Sequence, residues 1–170
     1  MERYRLKIMG LDDAKKKIDK LKTQGEKIVF TNGCFDILHP GHARYLYAAR
    51  ELGDHLIVAL NSDMSVKAIK NQERPVIPEK DRAEMLAALE FVDSIVIFDE
   101  DNPLRVIQSL NPDVLVKGGD WDEDRIIGAE FVKSSGGEVK SIAYVEGYST
   151  TLILEKILAG SNQTHKPGDE

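Results

Sequence analysis

A single cysteine, Cys34, in 170 residues excludes an intramolecular disulfide framework and a cysteine-rich zinc site. No apolar run reaches the length of a membrane span, and the opening MERYRLKIMG has no stretch apolar enough for a signal sequence. A cytoplasmic protein without a membrane partner is therefore expected. Basic excess is also missing: 23 Lys and Arg against 29 Asp and Glu leave a formal net charge of −6. A nucleic-acid partner is not expected, because counterion release needs a basic face. No G-x-G-x-x-G follows the first apolar run, which argues against a dinucleotide-dependent dehydrogenase. No dense cluster of His, Asp and Glu marks a protein-built metal site, and no repeat, linker or low-complexity block divides the chain.

What is present is ordinary globular material, 42% hydrophobic and 31% charged, of a length that suits one domain. Leu11, Ala14, Ile18 and Leu21 recur at three- and four-residue spacing and predict an amphipathic helix over 11–25, stopped by Gly25. Short apolar runs predict strands over 27–31, 55–60, 94–98, 114–117 and 138–142. Between them helices are expected over 41–52 and 79–89, the second presenting Met85, Leu86 and Leu89 on one face. A helical turn is expected over 64–70, and further helices after Pro103, over 123–134 and over 150–158. Alternation of this kind means βαβ units. The expected fold is α/β, a Rossmann-like doubly wound parallel five-stranded sheet flanked by helices, in a single domain. Ligands of such sheets bind beyond the carboxyl ends of the strands. Attention therefore falls on the loops after KIVFT, HLIVAL and VLVK, and on the start of the final helix.

The first of those loops reads TNGCFDILHPGHARYL, with His39 and His42 flanking Pro40-Gly41 at the mouth of a helix. Of the other histidines, His55 heads a strand and His165 lies in the polar tail. Gly41 permits close backbone approach, and a helix N-terminus offers free amides and a positive dipole end. Two imidazoles there can donate to phosphate oxygens, and a phosphate would favour their charged forms. Tyr148-Ser149-Thr150-Thr151 opens the last helix, where a cap and a phosphate seat use the same donors. Asn61-Ser62-Asp63 follows a strand end and suits a ribose or sugar hydroxyl, or a plain turn. Lys67, Lys70 and Arg82 supply positive charge for a triphosphate or sugar phosphate, or are solvated surface charges. Asp36 suits a structural role, orienting a histidine or capping the turn.

The segment GCFDILHPGH resembles the H-x-G-H signature of the nucleotidyltransferase (cytidylyltransferase-like) superfamily, and the resemblance runs from Lys27 to Leu158. The segments LNSDMSVK, RPVIPEKDRAEML, PDVLVKGGDW and EGYSTTLI make it most similar to the heptose 1-phosphate adenylyltransferases, found alone or fused to a sugar kinase. The resemblance implies a nucleotidyltransferase domain over 27–160, which leaves the amphipathic helix in an N-terminal extension over 1–26 and the residues without apolar periodicity in a flexible tail over 161–170. It implies transfer of AMP from ATP to D-glycero-β-D-manno-heptose 1-phosphate, giving ADP-heptose and pyrophosphate for lipopolysaccharide or surface-glycan synthesis. His39, His42, Ser149 and Thr150 would be catalytic. The nucleotide would meet Thr31, Asn32, Gly33, Cys34, Phe35, Gly41, Lys117, Gly119, Asp120, Tyr148 and Thr151 as well. The sugar phosphate would meet Asn61, Asp63, Lys67, Arg82 and Trp121, although a core or lid tryptophan is the plainer reading of the last. Mg²⁺ would be carried with ATP, and the assembly would be a homo-oligomer, a dimer. A cytidylyltransferase acting on glycerol 3-phosphate or a related alcohol phosphate is the alternative. Those enzymes carry an arginine where this chain has Tyr144, which weakens it. A nucleotide-binding sensor without turnover is the non-enzymatic alternative.

Overall fold

Five strands are laid down in the order β3-β2-β1-β4-β5, every neighbouring pair parallel. The computed structural model describes residues 2–143 and 147–161; Tyr144 and the tail from 162, with His165, lie outside the described residues. The strands are β1 (Ile28–Gly33), β2 (His55–Asn61), β3 (Ser94–Phe98), β4 (Val114–Gly118) and β5 (Glu138–Ile142). The helices are α1 (Leu11–Thr23), α2 (Pro40–Arg50), α3 (Asp63–Ile69), α4 (Glu79–Ala87), α5 (Leu104–Leu110), α6 (Ala129–Ser134) and α7 (Thr150–Ser161).

Continuous apolar runs become two cores because successive strand residues face opposite sides. Ile28 and Phe30 of β1, with Ile57 and Ala59 of β2, pack on Ala14 and Ile18 of α1 and on Val106, Ile107 and Leu110 of α5. Val29, Leu56, Val58 and Leu60 pack the other way, on Leu46 and Ala49 of α2 and on Ala83 and Leu86 of α4. The doubly wound sheet read from the sequence is thus the observed one. At its amino edge, three aspartates set just before strands each accept a backbone amide of the neighbouring strand region. Asp54 takes Lys27 N, Asp93 takes Leu56 N and Asp113 takes Ile28 N, all at 2.8 Å.

Two local expectations need correction. The buried face of α4 is Arg82, Ala83, Leu86 and Ala87, while Met85 is 54% exposed. A helical step of about 100° groups the first four, and leaves Met85 pointing away. The single helix expected over 123–134 is a 3-10 turn, Glu123–Arg125, followed by the short α6. Gly128, at φ +91°, breaks it; a Cβ there would lie 2.7 Å from Ile107 Cδ1, so the chain must bend to dock on α5. A 3-10 turn over Arg3–Lys7 was not foreseen, being too short to show a period. It ties Tyr4 and Arg5 to Glu84 and brings Met9 N to Ile95 O.

His55 is buried with its Nε2 2.9 Å from Ser94 Oγ, and Lys17 Nζ donates to the same oxygen at 2.9 Å. With Lys17 donating, the serine proton is free for an unprotonated imidazole nitrogen. Burial pushes His55 down to about 4, helped by the charges of Lys17 and Arg50 and opposed by Asp93. A folded value below the unfolded 6.5 means its stabilisation is complete above that pH and is lost as pH falls toward 4. Thermal melts should therefore show the wild type losing on the order of 2 kcal/mol more than His55→Gln between pH 7 and 4.5. Equal losses would remove His55 as the cause.

Candidate active site

β1 runs two residues beyond the expected strand end, so Asn32 and Gly33 belong to the sheet and the loop proper starts at Cys34. Phe35 then turns at φ +43°, laying its ring over Gly33, where a Cβ would lie 2.9 Å from Phe35 Cε2. The same ring meets His42 edge-on at 5.2 Å. Pro40 starts α2 at a position where a missing N–H does no harm, and His39 is the N-cap, its Nδ1 accepting His42 N at 3.3 Å. The two imidazoles stack with centroids 3.7 Å apart and planes 16° off parallel.

Stacked at that distance, both rings cannot readily be cations. Burial, and then the neighbouring His39, bring His42 down to about 4, with the Ile37 backbone opposing; burial lowers His39 as well. Nδ1 of His42 is buried and makes no hydrogen bond of full geometry among the described residues. The pair is therefore neutral at pH 7 until an anion arrives to favour protonation.

Facing this pair is the start of α7. A Cβ on Gly41 would lie 3.0 Å from both His39 Nδ1 and Tyr148 Cβ, so glycine lets this segment close onto the loop. The Tyr148 ring lies 6.4 Å from the His39 ring at 22°, and Arg44 Cζ sits 5.4 Å from its centroid. Ser149 Oγ accepts Leu152 N at 3.1 Å, so that hydroxyl serves as a cap in this structure. Thr150 follows it, half-buried, and Thr151 is exposed on the first turn.

At the end of β4, Lys117 Nζ reaches Asn32 Oδ1 at 3.3 Å. Burial lowers Lys117 further below its ordinary range than the nearby Cys34 can offset, and the charge of Lys70 adds to the lowering. Burial pushes the Cys34 thiol up, against Lys70, Arg82, Lys117 and Arg74, so it is no poised nucleophile. Gly119, at φ +113°, donates its N–H to Ile142 O at 2.8 Å. Beyond it Asp120 is exposed and Trp121 half-exposed, the indole donating to Gly118 O at 3.0 Å. Trp121 is thus a rim residue rather than a core one.

Several expected ligands turn inward instead. Thr31 is fully buried, with Oγ1 2.5 Å from Tyr45 Oη, which also donates to Val116 O. Arg82 is sealed among Ile77 O, Cys34 O and Asn61 O, and pairs with Asp63 at 2.8 Å. Asn61 is buried and donates to Ser65 Oγ. A polar side chain near a strand end can bind the fold's own polar groups as readily as a ligand: Thr31 and Asn61 meet hydroxyls of the chain, and Arg82, from α4, meets its carbonyls. Lys67 is exposed on α3 with no hydrogen bond or ion pair among the described residues; Lys70, at the end of α3, is the lysine whose charge reaches Lys117. Asp36 is structural, as expected. It is buried and accepts Arg74 Nε at 2.5 Å, Val76 N at 2.8 Å and Ile77 N at 2.9 Å. Although burial pushes its carboxyl up, the amides and Arg74 bring it below the usual range. Neither Arg44 nor Arg74 is among the expected site residues; Arg44 follows His42 on α2, whereas only the fold carries Arg74 to the loop.

The cytidylyltransferase-like family matches residues 30–156 of this chain. The chain is 55% identical over 155 residues to the bifunctional protein HldE of Geotalea uraniireducens, covering 91% of this chain and 32% of that protein. It is 53% identical over 154 residues to the bifunctional protein HldE of Campylobacter fetus, with the same coverage. The chain spans about a third of the length of these curated relatives. The crystal structure of the lipopolysaccharide core biosynthesis protein from Thermoplasma volcanium is similar at a TM-score of 0.57 and 29% identity, over 74% of this chain and 100% of that one.

Imidazole NMR at varied pH should find His42 titrating near 4 in the free protein, and inorganic tripolyphosphate should move both loop histidines upward. Shifts indifferent to the polyanion would remove the pair from any phosphate site.

Proposed function

The chain belongs to the cytidylyltransferase-like family, and from that premise we propose that it is a sugar-phosphate adenylyltransferase. Its reaction is transfer of AMP from ATP to D-glycero-β-D-manno-heptose 1-phosphate, forming ADP-heptose and pyrophosphate for lipopolysaccharide or surface-glycan synthesis. The observation that carries this reading is the stacked His39–His42 pair at the N-terminus of α2, set against the start of α7 across Gly41. The similarity to the HldE proteins and to a lipopolysaccharide core biosynthesis protein supports the choice of substrate.

A heptose-phosphate oxygen attacks the α-phosphorus, the bond from that phosphorus to the β-bridging oxygen breaks, and pyrophosphate leaves with the electron pair. The attacking phosphate is already ionised, so neither a covalent intermediate nor a strong base is needed. The work is alignment and charge stabilisation. His39 and His42 take up protons as the phosphates settle and donate to the α- and β-phosphate oxygens. Free amides of α7 and the Thr150 hydroxyl receive the leaving group. Lys117, at the end of β4, and Lys70, whose charge reaches it, suit the sugar phosphate. Cys34 and Phe35 line the floor, with Gly119, Asp120 and Trp121 toward the base. Magnesium arrives with the triphosphate as part of the substrate. The exposed Leu152 and Ile157 of α7 favour a homodimer as the working assembly. The cytoplasm, where ATP is available, is the proposed location; among the described residues no helix is long and apolar enough to cross a membrane.

A screen of sugar 1-phosphates with ATP, read by product mass, should give ADP-heptose. Faster pyrophosphate release with CTP and glycerol 3-phosphate would favour the cytidylyl alternative, and tight ATP binding without turnover on any sugar phosphate a sensor. His39→Ala and His42→Ala should each slow turnover at least about a hundredfold in a folded protein. Thr150→Ala should lower the single-turnover rate at saturating substrates more than ATP binding. Loss of melting temperature with an unchanged rate would reduce Thr150 to helix support.

A further inference from the structure

Arg44 stands apart from the other arginines near the sheet. Arg50 pairs with Asp93, Arg74 with Asp36, Arg82 with Asp63 and Arg105 with Glu100, whereas Arg44 pairs with no carboxylate among the described residues. Its guanidinium instead lies over the Tyr148 ring, Cζ 5.4 Å from the centroid. That ring also faces His39, and the residue carrying it immediately precedes Ser149-Thr150 at the mouth of α7. One aromatic platform thus holds an uncommitted cation beside both elements of the phosphate site.

The site otherwise offers little fixed positive charge to a leaving pyrophosphate. His39 and His42 are neutral before substrate binds, Lys117 is turned toward Asn32, and Arg82 and Arg74 are already paired. A stacked guanidinium keeps its in-plane N–H fork free, the geometry that bridges two phosphate oxygens. We propose that Arg44, positioned by Tyr148, binds the β- and γ-phosphate oxygens of the nucleotide and stabilises pyrophosphate as it departs. This rests on the adenylyltransferase reading and adds to it the residue that neutralises the leaving group.

Inorganic pyrophosphate is the probe, because it tests the leaving-group seat without reference to base or sugar. Calorimetric titration should show Arg44→Met binding it about tenfold or more weakly than wild type, at an unchanged melting temperature. Arg44→Lys should recover part of the loss, since it returns the charge without the fork. Tyr148→Leu should weaken binding less than Arg44→Met, because the cation remains. Arg44→Met should also flatten the dependence of binding on salt, as expected when one charged contact is lost. Wild-type affinity in Arg44→Met overturns the proposal while leaving the adenylyltransferase reading intact. So does a loss matched in size by Tyr148→Leu and accompanied by a falling melting temperature, which marks a packing role. A wild type with no affinity for pyrophosphate overturns the proposal, while the adenylyltransferase reading stands or falls on ADP-heptose formation.

Discussion

Arg82 carries a full charge into a place where water does not reach. A buried guanidinium without partners is strongly unfavourable, and removing one partner of such a pair typically costs about 3–5 kcal/mol. The chain meets that demand by converging on it: the carbonyl after β1, the last carbonyl of β2, the carbonyl of Ile77 and the Asp63 carboxylate all point inward. Asp36 does the same in the opposite sign, gathering Arg74 and two amides of the segment that follows α3. Between them they knot the loop that bears His39 to two other connections. The histidines themselves need no internal carboxylate to hold them, which leaves their titration open to the ligand.

That freedom has an electrostatic reason. An aspartate beside His39 would raise its pKa and keep it charged, but would repel every phosphate that approached. A buried, stacked and neutral pair gives up attraction at long range and gains responsiveness at short range. Protonation then accompanies phosphate binding, so positive charge appears where negative charge has come to rest.

The sheet was legible because its strands are apolar runs separated by turn residues, and periodicity reads both. β3 and β5 fall at the expected residues, and the histidine motif marks the N-terminus of α2. Side-chain direction at strand ends was not legible. Thr31, Asn61 and Arg82 have the chemistry of ligands, yet each finds its partner within the fold, and sequence spacing does not distinguish a carbonyl of the chain from an oxygen of a substrate. Cooperation between distant segments was equally hidden. Tyr148 meets Arg44 and His39 only because Gly41 lets two loops touch. The N-terminal 3-10 turn was missed for want of length, although Tyr4, Arg5 and Lys7 all find partners on or just after α4.

The place of α1 bears on where this domain can be cut. The cytidylyltransferase-like match begins at residue 30, but Ala14 and Ile18 are wholly buried against β1, β2 and α5, with Met9, Leu11 and Leu21 around them. Ile18 alone contributes roughly 1.5–3 kcal/mol by its burial, a large share of the margin of any single domain. The folding unit is therefore larger than the segment the family match spans. A protease that severed the chain at Gln24-Gly25 would free α1 from its part of one sheet face while leaving every motif of the site intact. Recombination that joins this domain to another at the boundary of its motifs would do the same harm, so a viable junction lies ahead of Arg3.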